Sequence, residues 1–96
     1  MRFSFHEDAQ AEFNKAVEYY EECRKGLGLD FSQEVYAAIA RIVQFPNAWS
    51  PMSKNTRRSL LNRFPYGIIY RLKSGSIQIV AVANLRRQPG CWHDRE

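Results

Sequence analysis

The sequence predicts a small α+β domain in which a two-helix hairpin covers one face of a curved antiparallel sheet. Two successive stretches carry apolar residues at helical spacing and are joined by a short Gly-Leu-Gly link. Between residues 57 and 92, three stretches rich in β-branched and aromatic residues are separated by two turn sequences, which is typical of an antiparallel meander. A short alternating stretch at the start completes the order β-α-α-β-β-β.

The first strand and the first helix follow directly from the start of the chain. Residues 2–5 alternate, with two phenylalanines on one face, and predict a strand. His6 is placed to be the N-cap of a helix over residues 8–25, because two acidic residues follow it. The spacing of Phe13, Val17 and Tyr20 gives this helix one apolar stripe. Gly26 is expected to end it, with Leu27 making the apolar contact of a Schellman cap.

The second helix is predicted over residues 28–45 and ends before Pro46. A short link between helices favours an antiparallel hairpin, and two apolar stripes can cover one sheet face. Residues 46–56 contain two prolines and predict a loop, in which we expect Trp49 to fold back over the edge of the core. The residues expected to be buried are Val17, Tyr20, Val35, Ile39, Ile42, Tyr70 and Ile79.

Alternation along the last two strands predicts which side chains share a face of the sheet. Ile68, Tyr70 and Leu72 should lie on one face of their strand, and Arg71 on the other. The last strand is apolar on both faces, because Ile79 and Ala81 should oppose Val80 and Val82. Such a strand is central in its sheet or covered on both sides.

The length and composition of the chain predict a single domain over residues 1–96. A chain of 96 residues can bury one modest core without cross-links. No apolar run approaches the roughly 20 residues of a membrane span, and the first residues lack a signal-peptide core, so we expect no membrane partner and a cytoplasmic location. Cys23 and Cys91 fit no zinc or redox spacing, which favours reduced thiols without a metal.

The net charge of +4 is distributed unevenly along the chain. Residues 1–50 contain five Lys or Arg against eight acids, and residues 51–96 contain nine against two, so the halves carry −3 and +7. This asymmetry favours a face that meets a polyanion or an acidic partner. The alternative is that the helices supply acids and the strands supply bases without further meaning.

The candidate functional residues of the sequence are mostly arginines, which form one cationic cluster. The strand half has no acid before Asp94, no phosphate-binding glycine loop is present, and nothing in the sequence calls for a cofactor. Arginine forks suit phosphates, and nearby aromatic rings can stack on bases. His93 has the pKa most naturally suited to acid–base work at neutral pH. The target- or partner-binding candidates are Arg57, Arg58, Arg63, Arg71, Arg86, Arg87 and Trp92, and the weaker catalytic candidates are Arg86, Arg87 and His93.

The order of these elements resembles the RelE/ParE superfamily of toxins from type II toxin–antitoxin modules, in the ParE-like branch often called plasmid-stabilisation proteins. The matching segments are FHEDAQAEFNKAVEYYEE, GLGLDFSQEVYAAIARIVQFP, RRSLLNRFPYGIIYRL and IVAVANLRRQPGCW, which together span nearly the whole chain. The resemblance implies a growth-inhibiting bacterial toxin, held inactive by a cognate antitoxin in a hetero-oligomer. It also implies the β-α-α-β-β-β fold.

The resemblance implies two alternative activities. One branch cuts mRNA inside the ribosome with lysines and arginine on its middle strands, an arginine near the end of its last strand and a tyrosine in its tail. Arg86 and Arg87 lie near the expected place of that last-strand arginine. Here the lysine positions read Ser59 and Leu61, the strand arginine position reads Gly67, and the tail position reads Cys91. Asn84 also replaces a histidine common in that branch. These departures favour the branch that poisons DNA gyrase, without catalysis. The metal-independent ribonuclease and a degenerate member that only binds antitoxin stay open as alternatives.

Overall fold

The computed structural model describes residues 2–86, which form two helices packed on one face of a five-stranded sheet. The strands are β1 (Phe3–Phe5), β2 (Ser50–Pro51), β3 (Arg57–Leu60), β4 (Tyr66–Lys73) and β5 (Ser76–Asn84), and the helices are α1 (Glu7–Cys23) and α2 (Leu27–Gln44). The α+β class and the helix hairpin are therefore confirmed. Arg87, Cys91, Trp92 and His93 lie outside the described residues.

The sheet is mixed, whereas the sequence predicted an antiparallel one. Its order is β1-β5-β4-β3-β2, and β3, β4 and β5 form the expected meander. The prediction was wrong at β1, which pairs with β5 in parallel, with Phe3 opposite Ile77. The reason is topological: the helix hairpin carries the chain across the sheet to its far edge, and the meander then returns so that its last strand runs alongside the first.

The two helices meet at a junction that differs in detail from the prediction. His6 is the N-cap of α1, as expected, since its Nδ1 accepts a hydrogen bond from the Asp8 amide. However, α1 ends at Cys23, and Gly26, at φ +89°, precedes α2 as its N-cap instead of closing a Schellman motif. The carboxylate of Glu21 accepts hydrogen bonds from the backbone amides of Gly26 and Gly28. It thereby satisfies amides that a helix start leaves without intrahelical partners.

The core lies between the helix hairpin and the sheet. Five of the seven residues predicted to be buried are fully buried, while Val17 and Tyr20 are half-buried and pack against the core from α1. Phe31 lies at the centre of an aromatic cluster, with the rings of Phe64 and Tyr66 each 5.1 Å from its own. Edge-to-face packing of this kind contributes beyond the burial of apolar area.

A β-bulge in β5 changes which residues face the helices. Ile69 pairs with Ala81 but Tyr70 pairs with Ile79, so Val80 is an extra residue in the ladder. As a result Val82 joins Ile79 in the core, whereas the sequence placed the two on opposite faces. The face away from the helices, here called the outer face, carries a small apolar cluster of Ile69, Val80 and Ala81.

The stretch predicted as a loop, residues 46–56, contains the short edge strand β2. The turn after it is held by the Met52 amide, which donates to the Thr56 carbonyl, and by a 2.7 Å hydroxyl contact between Ser53 and Thr56. Trp49 packs against the core edge, as predicted. Within residues 2–86, no helix is long and apolar enough to cross a membrane.

Candidate functional site: a cationic cleft at one end of the sheet

A cleft of about 470 Å³ lies where β4 ends beside the β2–β3 connection. Its cationic lining residues are Lys54, Arg57, Arg71 and Lys73, and its polar ones are Asn47, Ser53, Asn55, Thr56 and Tyr70. No Asp or Glu lines it among the residues described. The +7 half of the chain therefore places four positive charges around one concavity, which makes this cleft the candidate functional site.

Arg57 is fixed at the back of the cleft by the edge of the core. Its Nη1 donates a 2.6 Å hydrogen bond to the carbonyl oxygen of Trp49. Arg57 is directly opposite Tyr70 in the sheet, and the Tyr70 hydroxyl donates to the Pro46 carbonyl at 2.7 Å. Two side chains from neighbouring strands thus tie the 46–49 backbone to the sheet and position this wall of the cleft.

Burial raises the pKa of Tyr70 to about 12, and the nearby Arg57 guanidinium opposes this shift without cancelling it. The phenol therefore remains protonated at neutral pH, with its proton directed to the Pro46 carbonyl. Tyr70 is therefore a structural hydrogen-bond donor to the 46–49 backbone.

Arg71 and Lys73 extend the cleft along β4. The Arg71 Nε donates a 2.7 Å hydrogen bond to Oε1 of Gln78, its partner on β5, and this contact orients the guanidinium plane. Lys73 and Lys54 are both exposed. Lys73 stands at the β4–β5 turn, where its carbonyl accepts a hydrogen bond from the Ser76 hydroxyl, and Lys54 stands in the β2–β3 turn.

The structure brings only part of the predicted arginine cluster together. Arg58 lies on the outer face opposite Ile69, and its side-chain carbons stand close over Gly67. Arg63 instead points towards α2, where its Nη2 is 3.5 Å from the Asp30 carboxylate and its guanidinium stands 5.4 Å from the Phe64 ring centre. Arg86 is exposed after β5 and lies near enough to Tyr20 to oppose the rise that burial produces in the pKa of that phenol.

Two of the four cationic residues of the cleft, Lys54 and Lys73, were not predicted as site residues from the sequence. Lys54 and Lys73 lie in turn sequences, where a lysine is ordinarily a solvated surface charge, so composition gave no reason to choose them. Their positions could have identified them, because each lysine lies in or beside a turn, and the meander brings these two turns to the same end of the sheet. The arrangement can hold an anion through charge and hydrogen bonding. Within the described residues, no group of His, Cys, Asp and Glu could hold a metal ion.

Comparison with known proteins agrees with this architecture. The sequence model of the ParE toxin of type II toxin–antitoxin system, parDE, matches residues 3–89. Toxin ParE2 from two strains of Mycobacterium tuberculosis is 29% identical over 89 residues, which cover 92% of this chain and 85% of the relative. A chain of the chromosomal ParDE system from P. aeruginosa superposes with a TM-score of 0.78, covers 90% of this chain and 97% of its own length, and is 19% identical, so it supports the fold alone.

The match of the family model to residues 3–89 places this chain in the toxin class of type II toxin–antitoxin systems. Because the family model spans nearly all of the chain, this protein belongs to the ParE toxin family of type II systems. Membership implies an antitoxin as its partner.

Proposed function

We propose that this toxin inhibits DNA gyrase by binding and does not cut mRNA. The observation that carries the proposal is that the positions of the ribonuclease lysines and strand arginine are occupied by Ser59, Leu61 and Gly67, while the described residues of the cleft add no carboxylate or histidine to its four cations. Cleavage of RNA needs a group that accepts a proton from the attacking 2′-hydroxyl and another that protonates the leaving oxygen. Binding a large anionic or polar target needs neither of these groups.

Tyr70 adds a second argument for binding over catalysis. It is the one phenol among the described residues that line the cleft, and its proton is donated to the Pro46 carbonyl, away from a bound substrate. Replacement of the ribonuclease positions by Ser59, Leu61 and Gly67 points in the same direction. Ser59 is buried, and Gly67 has the side chain of Arg58 packed over it, so neither position presents a catalytic group.

The test is a direct comparison of the two targets with one preparation of toxin. We expect the purified toxin to block supercoiling of relaxed plasmid by gyrase, with relief on addition of antitoxin. In a reconstituted translation reaction, primer extension should show no new mRNA ends. Ribosome-dependent cleavage without an effect on supercoiling would overturn the proposal in favour of the ribonuclease. Inactivity in both assays, with antitoxin binding intact, would instead identify a degenerate member that only binds antitoxin.

A further inference from the structure

We propose that the cationic cleft binds phosphates of double-stranded DNA, so that the toxin contacts the DNA held by its target as well as the target itself. This inference rests on the proposed function, because it places the site beside gyrase-bound DNA. It concerns the four cationic residues of the cleft: Arg57 at the start of β3, Arg71 and Lys73 at the end of β4, and Lys54 in the β2–β3 turn.

The lining of the cleft is the donor set that contacts a nucleic-acid backbone. Phosphate oxygens in protein–DNA complexes are bound by side chains that include Arg, Lys, Ser and Asn, and all four types line the cleft. Arg57 and Arg71 are oriented by hydrogen bonds to neighbouring residues, which include the 2.6 Å bond to the Trp49 carbonyl and the 2.7 Å bond to Gln78. Guanidinium groups oriented in this way lose less side-chain freedom on binding an anion.

An acidic protein segment fits the cleft less well than a phosphate backbone does. Stable protein–protein interfaces depend on apolar or aromatic anchors that fill pockets. Among the described lining residues, Pro51 and Leu72 are aliphatic and exposed, and the one aromatic ring is that of the buried Tyr70. Charge and small polar donors therefore dominate, as expected for sequence-independent backbone contacts.

The test measures the affinity of the isolated full-length toxin for a short fluorescent DNA duplex as the salt concentration is varied. The cleft variant is Lys54→Gln/Lys73→Gln. The control is Lys15→Gln/Lys25→Gln, which removes the same two charges from exposed positions in and after α1. Each phosphate contact contributes about 0.9 to the slope of log affinity against log salt. The cleft variant should thus lower the steepness of the slope by about 1.8. If wild type and variant bind equally at about 1 M salt, the variant binds about 60-fold more weakly at about 0.1 M salt.

The outcomes separate this inference from the proposed function. Supercoiling inhibition by the wild-type toxin tests gyrase as the target, whereas the duplex titration contains no gyrase. Equal slopes for the cleft and control variants, with thermal unfolding confirming that both are folded, would overturn the DNA contact even if gyrase is inhibited. Loss of antitoxin affinity in the cleft variant with an unchanged DNA slope would also overturn it, and would assign the cleft to an acidic antitoxin segment.

Discussion

Replacing Glu12 with alanine should destabilise the protein far more than its position on α1 indicates. The Glu12 carboxylate accepts a 3.0 Å hydrogen bond from the backbone amide of Val82 on β5, 70 residues along the chain. Strand β1 ends at Phe5, paired with Ile79, so beyond that point β5 has no strand neighbour on this side. Glu12 supplies the acceptor that the missing strand would have provided.

The size of the expected stability loss follows from the charge of the Glu12 acceptor and the burial of the Val82 donor. Val82 is 1% exposed, so water cannot readily replace the lost acceptor. Hydrogen bonds to charged groups contribute about 1.5–3 kcal/mol, and an unpaired buried donor costs a similar amount. We expect Glu12→Ala to lose about 2 kcal/mol of unfolding free energy, or about 8–16 °C in Tm for a domain of this size.

Urea unfolding followed by circular dichroism measures this loss. Glu18→Ala is the matched control, because Glu18 is an exposed acid on the same helix and should change stability by no more than about 0.5 kcal/mol. Glu12→Gln keeps an oxygen acceptor and should restore part of the difference. The reasoning is refuted if Glu12→Ala and Glu18→Ala unfold at the same urea concentration.

Four further predictions concern the helix junction, the cleft, the surface and the antitoxin. Gly28→Ala should lower the free energy of unfolding in urea by about 1–3 kcal/mol, although alanine has the better helix propensity, because the new Cβ would stand 2.7 Å from the Val17 carbonyl oxygen. A gain in stability would show that the two helices can move apart without cost. The free energy of unfolding of the wild type should fall between about pH 10 and 12, because a tyrosine in the unfolded chain ionises near pH 10 and Tyr70 in the folded protein only near pH 12. Tyr70→Phe should flatten that part of the pH profile. Arg63→Gln should cost less than about 1 kcal/mol in thermal unfolding, since its pairing with Asp30 is a surface contact. Association with an acidic antitoxin segment should slow as salt is added, and a rate independent of ionic strength in stopped-flow mixing would contradict charge steering towards the +7 half.

Local sequence patterns were sufficient to predict the two helices and the presence of an antiparallel meander. The stripe that includes Phe13 and the stripe that includes Val35 and Ile39 are properties of one helix each, and each packs against the core as its spacing predicts. His6 was identified as a cap from its immediate neighbours alone. Such features can be inferred from sequence because their physical cause lies within one or two helical turns.

Other features depend on which distant segments come together, and the sequence did not determine them. The parallel pairing of β1 with β5, the bulge at Val80 and the edge strand β2 each require a partner strand whose register is set elsewhere in the sheet. The same holds for the candidate site. Sequence spacing grouped Arg63 with Arg71, but α2 carries Asp30 to Arg63, while the β2–β3 turn carries Lys54 to the end of β4. Composition determined that one half of the chain would be basic, and only the tertiary structure decided which charges meet, because charges far apart in sequence are brought together by strand pairing and helix packing.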